Sequence, residues 1–153
     1  LAMRFAFLVV VLNAGSSLLA QLAVREVLIP RANAFPHDPA VTSDGTAWYT
    51  DQVNSTIGRL DPTTEQIVDY PTPTPNSGPH GITVSPDDYV WYTAQDTGRL
   101  GRVHPQTGAI TEYVLPANAN RPHTPIAHRG AGLSGGSQSL QHLAVVVIHD
   151  LRR

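Results

Sequence analysis

Three histidines that recur in one local context are the residues in this sequence with the clearest chemical potential. A Pro-His pair occurs at 36–37, 79–80 and 122–123, so His37, His80 and His123 are spaced by 43 residues. Histidine titrates near neutral pH and can act as a general base, a general acid or a metal ligand. The repeated context predicts that each imidazole stands where the first strand of a structural unit begins. A purely structural role, as a repeated hydrogen-bonding residue, is the alternative to catalysis.

The 43-residue period extends through the whole segment between these histidines. Trp-Tyr-Thr at 48–50 recurs at 91–93, and Gly-Arg at 58–59 recurs at 101–102. Stretches that alternate apolar and polar residues, as half-buried strands do, follow the same spacing at 24–27, 67–70 and 110–113. Gly and Pro interrupt the pattern too often for paired helices. A period of this length built from short strands is typical of a β-propeller blade.

We therefore predict an all-β fold that forms an incomplete β-propeller with about two four-stranded blades. The repeats cover residues 24–126, with blades at about 36–73 and 79–116 and a third begun at 122. The predicted strands lie near 39–43, 46–52, 55–60 and 66–70 and again one period later, with hairpin turns at Asp44-Gly45 and Asp87-Asp88. Residues 24–30 are predicted to form a strand that corresponds to the last strand of a blade; in a closed ring it would complete the final blade, which is missing here. Exposed blade faces would favour self-association.

The repeated Trp48 and Trp91 are expected to fill the space between adjacent blades rather than to form a ligand platform. Glycine at 58 and 101 permits a bulge or a close approach of strands, and the arginine that follows can tie neighbouring strands together.

Composition excludes several function classes. The chain has 153 residues, with 10 Lys plus Arg against 12 Asp plus Glu and a formal net charge of −2. Nucleic acid is therefore not expected as a partner, because binding to phosphates requires a basic surface. The chain has no cysteine, which excludes disulfides, thiolate metal ligands and cysteine nucleophiles.

The N-terminus has the pattern of a secretory signal peptide over residues 1–23. Met3-Arg4 precedes the apolar run 5–12, and small and polar residues follow, with cleavage possible after Ala20 or Ala23. The run is too short for a transmembrane segment. The pattern predicts export to the periplasm or the extracellular medium, and a buried strand or helix is the alternative.

Four phrases together resemble the streptogramin B lyase (virginiamycin B lyase) family over residues 24 to about 126. They are Pro-His-Gly-Ile at 79–82, Asp-Gly-x-x-Trp-Tyr-Thr at 44–50, Ile-Gly-Arg-Leu-Asp-Pro at 57–62 and Ile-Thr-Glu-Tyr-x-Leu-Pro at 110–116. The resemblance implies a seven-bladed ring. It also implies an Mg²⁺-dependent enzyme that opens the lactone of streptogramin B antibiotics by elimination, without adding water, and so gives antibiotic resistance.

The resemblance assigns catalytic and substrate-binding roles to histidines at the Pro-His position. Carried over, His80 and His123 are the catalytic candidates, with His37 after them. The family's Mg²⁺ carboxylates lie two residues before such a histidine and directly after a Trp-aromatic-Thr segment. In this sequence those places hold Phe35, Gly78, Arg121, Asp51 and Ala94. Asp51 is the candidate metal ligand, and the complete Mg²⁺ site of the family is not present in this chain.

The repeat ends after about Ala127, where Ser134 occupies the place of the third tryptophan. We hypothesise a frameshift as the origin of the tail 127–153. The alternative is a Gly/Ser-rich linker followed by a short strand or helix from Leu140 to Arg153. The apolar run 143–148 is expected to have no sheet to join and to be an aggregation hazard.

Two functions follow from these patterns. The first is a piece of an exported streptogramin B lyase-like propeller that is inactive as this chain alone. The second is a non-catalytic exported propeller whose blade-top loops bind a small molecule, a glycan or a protein.

Overall fold

The computed structural model describes residues 24–129 and 143–149, so the predicted leader 1–23 and the Gly/Ser-rich stretch lie outside the described residues. The described residues confirm the predicted all-β class. The strands are β1 (Pro36–Val41), β2 (Ala47–Asp51), β3 (Thr56–Leu60), β4 (Ile67–Pro71), β5 (Pro79–Val84), β6 (Val90–Ala94), β7 (Arg99–Val103), β8 (Ile110–Val114), β9 (Pro122–Arg129) and β10 (Leu143–His149). A short 3-10 helix, Ala117–Ala119, precedes β9.

The first eight strands form two antiparallel sheets with the orders β1-β2-β3-β4 and β5-β6-β7-β8. We call these sheets blade 1 and blade 2. Their registers are equivalent, because Tyr49 faces Gly58 in blade 1 and Tyr92 faces Gly101 in blade 2. The first strands of the two blades, β1 and β5, lie against each other. Four-stranded meanders joined through their first strands are consecutive blades of an incomplete β-propeller.

The turns repeat with the same period as the strands. Left-handed φ angles occur in pairs separated by one period, at Asn33 and Asn76, Gly45 and Asp88, Ser55 and Gly98, and Glu65 and Gly108. Only some of these residues are glycines, so the repeated feature is the backbone conformation rather than the residue type. In the first hairpin, Gly45 donates its amide hydrogen to the carbonyl of Thr42 at 2.9 Å. Asp88 makes the equivalent bond in blade 2.

The hydrophobic core lies between the two blades. Trp48 and Ile57 of blade 1 belong to one buried cluster with blade 2 residues, namely Ile82, Val90, Tyr92, Ala94 and Val103. Burial of two aromatic rings and several aliphatic side chains in one seam gives the association of the blades its main driving force. The inter-blade position expected of Trp48 is therefore the observed one.

Each tryptophan is stacked within its own blade in the same way. Trp48 stacks on Tyr70 with ring centroids 5.7 Å apart, and the guanidinium carbon of Arg59 lies 5.9 Å from the Trp48 ring. In blade 2, Trp91 stacks on Tyr113 at 6.2 Å, and an arginine again lies over the ring. The arginine of the Gly-Arg motif thus forms a cation–π contact with the tryptophan.

The glycine of the same motif is required by the tyrosine on the facing strand. A Cβ atom at Gly58 would lie 2.0 Å from Cζ of Tyr49, and one at Gly101 would lie 2.0 Å from Cε1 of Tyr92. No side chain can occupy that space while the ring stays in place. Trp-Tyr on the second strand and Gly-Arg on the third strand are therefore one packing unit.

The two tyrosines differ in the partners of their hydroxyl groups. Tyr92 donates to Oε1 of Glu112 at 2.8 Å, whereas the buried Tyr49 hydroxyl has no hydrogen-bond partner in the described part of the chain. Burial, and then the negative charge of Asp69, raise the pKa of Tyr49 from 10.0 to about 12. The folded state favours the neutral phenol of Tyr49, and this preference stabilises the fold. The contribution is complete below pH 10 and is lost as the pH rises from 10 through 12.

We expect Tyr49→Phe to leave the free energy of unfolding at pH 7 unchanged within about 0.5 kcal/mol, because it removes an unpaired hydroxyl. It should also reduce the loss of stability above pH 10. The matched change Tyr92→Phe should cost about 1–2 kcal/mol at pH 7, because Glu112 loses a donor. Urea unfolding followed by tryptophan fluorescence measures both. Equal losses of stability in the two variants at pH 7 would contradict the difference in hydrogen bonding between Tyr49 and Tyr92.

Residues 24–30 form no strand, so the prediction of a strand in this segment is wrong. Such a strand pairs with the third strand of its own blade, and no third strand lies beside 24–30 among the described residues. The segment and the loop after it instead run along blade 1. Arg25 forms an ion pair with Glu65, and Arg31 forms ion pairs with Asp51 and Asp69.

A third sheet consists of β9 and β10, which pair antiparallel. Residues 125–127 face 145–147 in the same register in which 82–84 face 90–92 of blade 2. The apolar run 143–148 was expected to have no sheet to join, and that expectation is wrong, because β9 offers the run its free edge. Residues 145–147 thus take the backbone places that Val90, Trp91 and Tyr92 occupy in blade 2.

Within residues 24–129 and 143–149, no helix is long and apolar enough to cross a membrane.

Candidate functional site: a stack of histidines at the inner strands

The three repeated histidines come together in one stack. His37, His80 and His123 are the second residues of β1, β5 and β9, the first strand of each sheet. The ring centroids of His37 and His80 are 4.1 Å apart, and those of His80 and His123 are 4.0 Å apart. The rings are tilted by 48° and 52°. The repeat thus converts a 43-residue spacing along the chain into direct contact, and we call this feature the histidine stack.

The threonine of each Trp-Tyr-Thr segment holds the stack in register. Oγ1 of Thr50 accepts a hydrogen bond from the amide of Asp38 at 3.1 Å and donates to the carbonyl of His80 at 2.7 Å. Thr93 makes both bonds one blade later, at 3.0 and 2.7 Å, and reaches the carbonyl of His123. We call each of these a threonine bridge. Each bridge links the inner strand of one sheet to the inner strand of the next.

The residue after His80 lies at the contact between the inner strands β5 and β9. A Cβ atom at Gly81 would lie 2.4 Å from the carbonyl oxygen of His123 and 2.8 Å from Cδ of Pro125. The glycine of Pro-His-Gly-Ile therefore permits close contact between β5 and β9. Blade 1 has Asp38 at the equivalent place. This departure from the repeat puts a carboxylate beside the histidine stack.

His80 is the buried centre of the stack, with 9% of its surface exposed. Burial is the main cause that lowers the pKa of His80 from 6.5, and the nearby charges of His123 and His37 lower it further. The imidazole of His80 is therefore neutral at physiological pH, which is the form that accepts a proton or binds a metal. Its Nδ1 atom is buried and has no hydrogen-bond partner among the residues that the structure describes.

His37, Asp38 and His80 form a possible metal-binding group. One donor atom from each lies within 4.8 Å of the others, and Nδ1 of His37 is 3.0 Å from Oδ1 of Asp38. Sequence reasoning named both histidines and missed Asp38. The available signal was the difference between Asp38 and its repeat equivalent Gly81.

Asp51 lies in a different environment. Its buried carboxylate pairs with Arg31 and accepts hydrogen bonds from the amides of Phe35 at 3.0 Å and Asn54 at 3.1 Å. Burial acts to raise the pKa of Asp51, but the hydrogen bonds from Asn54, Arg31 and Phe35 outweigh it and hold the pKa below 3.8. Both oxygens are thus engaged by protein donors. The metal-ligand role of Asp51 stays a prediction.

The described residues do not fit an Mg²⁺ ion of the family type. Mg²⁺ prefers oxygen ligands in octahedral geometry, and the carboxylate of Asp51 already has four protein donors. The possible metal group at the histidine stack contains two imidazoles and one carboxylate. Its donor set is rich in nitrogen, which magnesium does not favour.

A polar groove of about 320 Å³ opens between the blades. Its lining comes from the turns after β2 and β6 and from the loop before β5, namely Gln52, Val53, Ser55, Asn76, Gly78 and Asp96. Asp51 at the end of β2 pairs with Pro36 at the start of β1, so these turns lie at the same edge of the sheets as the histidine stack. The groove and the stack therefore share one end of the propeller.

An incomplete β-propeller with repeated histidines at the heads of its inner strands is the class of protein that this fold and site define. Residues 16–133 match the model of the Virginiamycin B lyase family. The chain belongs to the Virginiamycin B lyase family, which confirms the resemblance seen in the sequence motifs.

Solved structures of lyases show the same fold. Virginiamycin B lyase from Staphylococcus aureus is 35% identical with a TM-score of 0.62, and the match covers 66% of this chain and 34% of that one. A catalytically inactive histidine-to-alanine variant of that enzyme with quinupristin gives a TM-score of 0.61 at 35% identity, with the same coverage. A streptogramin B lyase structure gives 0.60 at 33% identity, covering 64% of this chain and 32% of that one.

The chain thus spans about a third of the length of these solved relatives. A comparison with curated proteins found no match.

Proposed function

We propose that this chain is part of an exported streptogramin B lyase-like propeller that opens the lactone of a cyclic depsipeptide antibiotic by elimination. The observation that carries the proposal is the histidine stack in a chain of this family. Three imidazoles meet at the inner strands, and the central one, His80, is buried and neutral. The predicted leader at 1–23 supports export.

Elimination across an ester needs a base for the acidic Cα proton and an electrophile that polarises the carbonyl. In this proposal His80 or His123 takes the Cα proton, a C=C bond forms as the alkyl C–O bond of the lactone breaks, and the carboxylate is the leaving group. His37 is the third candidate for the base. A neutral imidazole is well suited to this task near pH 7. The electrophile of the family, Mg²⁺, would have to be held by residues other than those described for this chain, and it would polarise the ester carbonyl there.

The chain alone is proposed to be inactive, because two blades and part of a third do not enclose a substrate. Apolar residues remain exposed on the last strand of blade 2, where Tyr113 is 42% and Val114 is 71% exposed. Such a surface favours self-association in an open propeller.

The test is incubation with quinupristin and Mg²⁺, followed by liquid chromatography and mass spectrometry. The chain alone should leave quinupristin intact. A ring in which residues 24–126 replace the matching third of the S. aureus enzyme should produce a linear product of unchanged mass, because elimination adds no water.

The role of the stack is tested in that ring with His80→Ala, which should abolish product formation. His104→Ala is the matched control, because His104 packs against Tyr89 outside the stack, and this variant should stay active. Unchanged turnover in the His80 variant would assign the repeated histidines a structural role. A product heavier by one water would show hydrolysis instead of elimination.

The second candidate is a non-catalytic exported propeller that binds a small molecule, a glycan or a protein at its blade-top loops. The polar groove between the blades favours it. Binding of quinupristin without ring opening by the completed ring would support this function over the lyase.

A further inference from the structure

Asp38 differs from its repeat equivalent Gly81 and adds a possible metal ligand beside the histidine stack. Blade 2 has glycine in this place, so the carboxylate is not required by the blade fold. In blade 1 it adds an oxygen donor beside two imidazoles that already lie 4.1 Å apart, centroid to centroid. The group His37, Asp38 and His80 therefore brings together donors from two different strands, β1 and β5.

This donor set suits a borderline metal ion. Two histidines and one carboxylate, with an open fourth position, are typical of zinc and of its neighbours in the first transition row. Tetrahedral bonds of about 2.0–2.2 Å place ligand atoms about 3.3 Å apart. The donors here lie within 4.8 Å of one another, so rotation of the exposed His37 side chain can close the site.

Hydrogen bonds fix the backbone of the two strands that supply His37, Asp38 and His80. The Thr50 bridge connects the amide of Asp38 to the carbonyl of His80 and so fixes the two ligand strands relative to each other. His123 stacks on His80 with ring centroids 4.0 Å apart. His80 also keeps a buried ring nitrogen without a partner in the described part of the chain, and an unpaired buried polar atom is costly unless a ligand satisfies it.

We propose that His37, Asp38 and His80 form a binding site for a divalent first-row transition cation such as Zn²⁺. The site is separate from the Mg²⁺ site that the family resemblance implies. An ion bound there occupies the lone pair of the His80 nitrogen that it coordinates, so His123 is left as the base of the proposed elimination. It also ties β1 to β5, the inner strands of the two blades.

The experiment uses the full chain without a polyhistidine tag, stripped of metal with EDTA. Co²⁺ is added and its visible absorption is followed, and Zn²⁺ binding is measured by titration calorimetry. We expect one equivalent of tightly bound ion, with the intense absorption of low-coordinate cobalt. Zn²⁺ should displace Co²⁺, and millimolar Mg²⁺ should not. Displacement by Mg²⁺ or the absence of any binding would overturn the proposal.

Asp38→Gly is the most informative variant, because it restores the residue that blade 2 carries in this place. It should weaken Zn²⁺ binding at least tenfold, and His80→Gln should abolish binding. The matched control replaces the tail histidines together, as His128→Gln, His142→Gln and His149→Gln, and should bind as the unaltered chain does. Loss of binding in this control but not in Asp38→Gly would place the ion in the tail.

Circular dichroism establishes whether each variant keeps its fold. If a variant unfolds, the ligands are identified in the unaltered chain by nuclear magnetic resonance of the imidazole nitrogens. Zn²⁺ should then shift the imidazole nitrogen signals of His37 and His80 and leave that of His104 in place. Shifts confined to other histidines would refute the site. The result is independent of the ring-opening test, which uses Mg²⁺ and quinupristin.

Discussion

Gly101→Ala is expected to lower the free energy of unfolding by about 3 kcal/mol. The added methyl group would lie 2.0 Å from Cε1 of Tyr92, a ring that is fully buried and anchored by its bond to Glu112. The ring cannot retreat without leaving the inter-blade core or breaking that hydrogen bond. Urea unfolding followed by tryptophan fluorescence measures the effect, because Trp91 is adjacent to Tyr92 in the chain.

Gly45→Ala is the matched control for this prediction. Gly45 has a φ angle of +86°, and a Cβ atom there would have no atom of the described residues within 4 Å. This variant thus tests backbone strain without a clash, and it should cost only about 1 kcal/mol. If both alanine variants unfold at the same urea concentration, the packing of Gly101 against Tyr92 is not what the position requires.

Thr50→Val is expected to cost about 2–3 kcal/mol, although valine has nearly the same shape as threonine. The change removes the bridge between the amide of Asp38 and the buried carbonyl of His80. Both groups then lose their partner, and the carbonyl loses it in a site shielded from water. The loss should separate the inner strands of the two blades, so amide hydrogen exchange should speed up in β1 and β5.

Thr93→Val provides the comparison, because Thr93 forms the same bridge between blade 2 and β9. Its loss should accelerate exchange in β9 and β10 and leave β1 protected. We therefore expect the two variants to differ in which strands exchange their amide hydrogens faster, although both replace a threonine with valine. Identical exchange in the two variants would mean that the sheets unfold as one unit and that the bridges do not act locally.

Much of this fold is predictable because the repeat is periodic. The spacing of Trp48 and Trp91 gives the blade size, and alternation of apolar and polar residues gives the strands. It also predicts that His37, His80 and His123 are equivalent. Contact between their rings is not predictable in this way, because spacing along the chain does not give the distance between the inner strands in space. Between β5 and β9 the approach depends on Gly81, where a Cβ atom would meet the carbonyl oxygen of His123, whereas the rings of His37 and His80 come equally close with Asp38 in that place.

The features that sequence reasoning missed depend on residues that break the period. Arg31 pairs with Asp51 and Asp69, yet the repeat equivalent of Arg31 is Thr74 and gives no hint of an ion pair. Asp38 joins the histidine stack for the same reason. The error at 24–30 has the opposite cause, because alternation predicts a strand only where a partner strand is available to pair with it.

The pairing of β9 with β10 shows that the second strand of a blade can pair without the Trp-Tyr-Thr side chains of the repeat. Main-chain hydrogen bonds form whatever side chains the added strand has, so an apolar segment without a tryptophan pairs with β9 in the place that Trp-Tyr-Thr takes in blade 2. An open propeller edge of this kind is permissive toward foreign sequence. Gene rearrangements that join a new coding segment behind a complete inner strand can therefore yield a paired strand at once, and selection can refine its side chains afterwards.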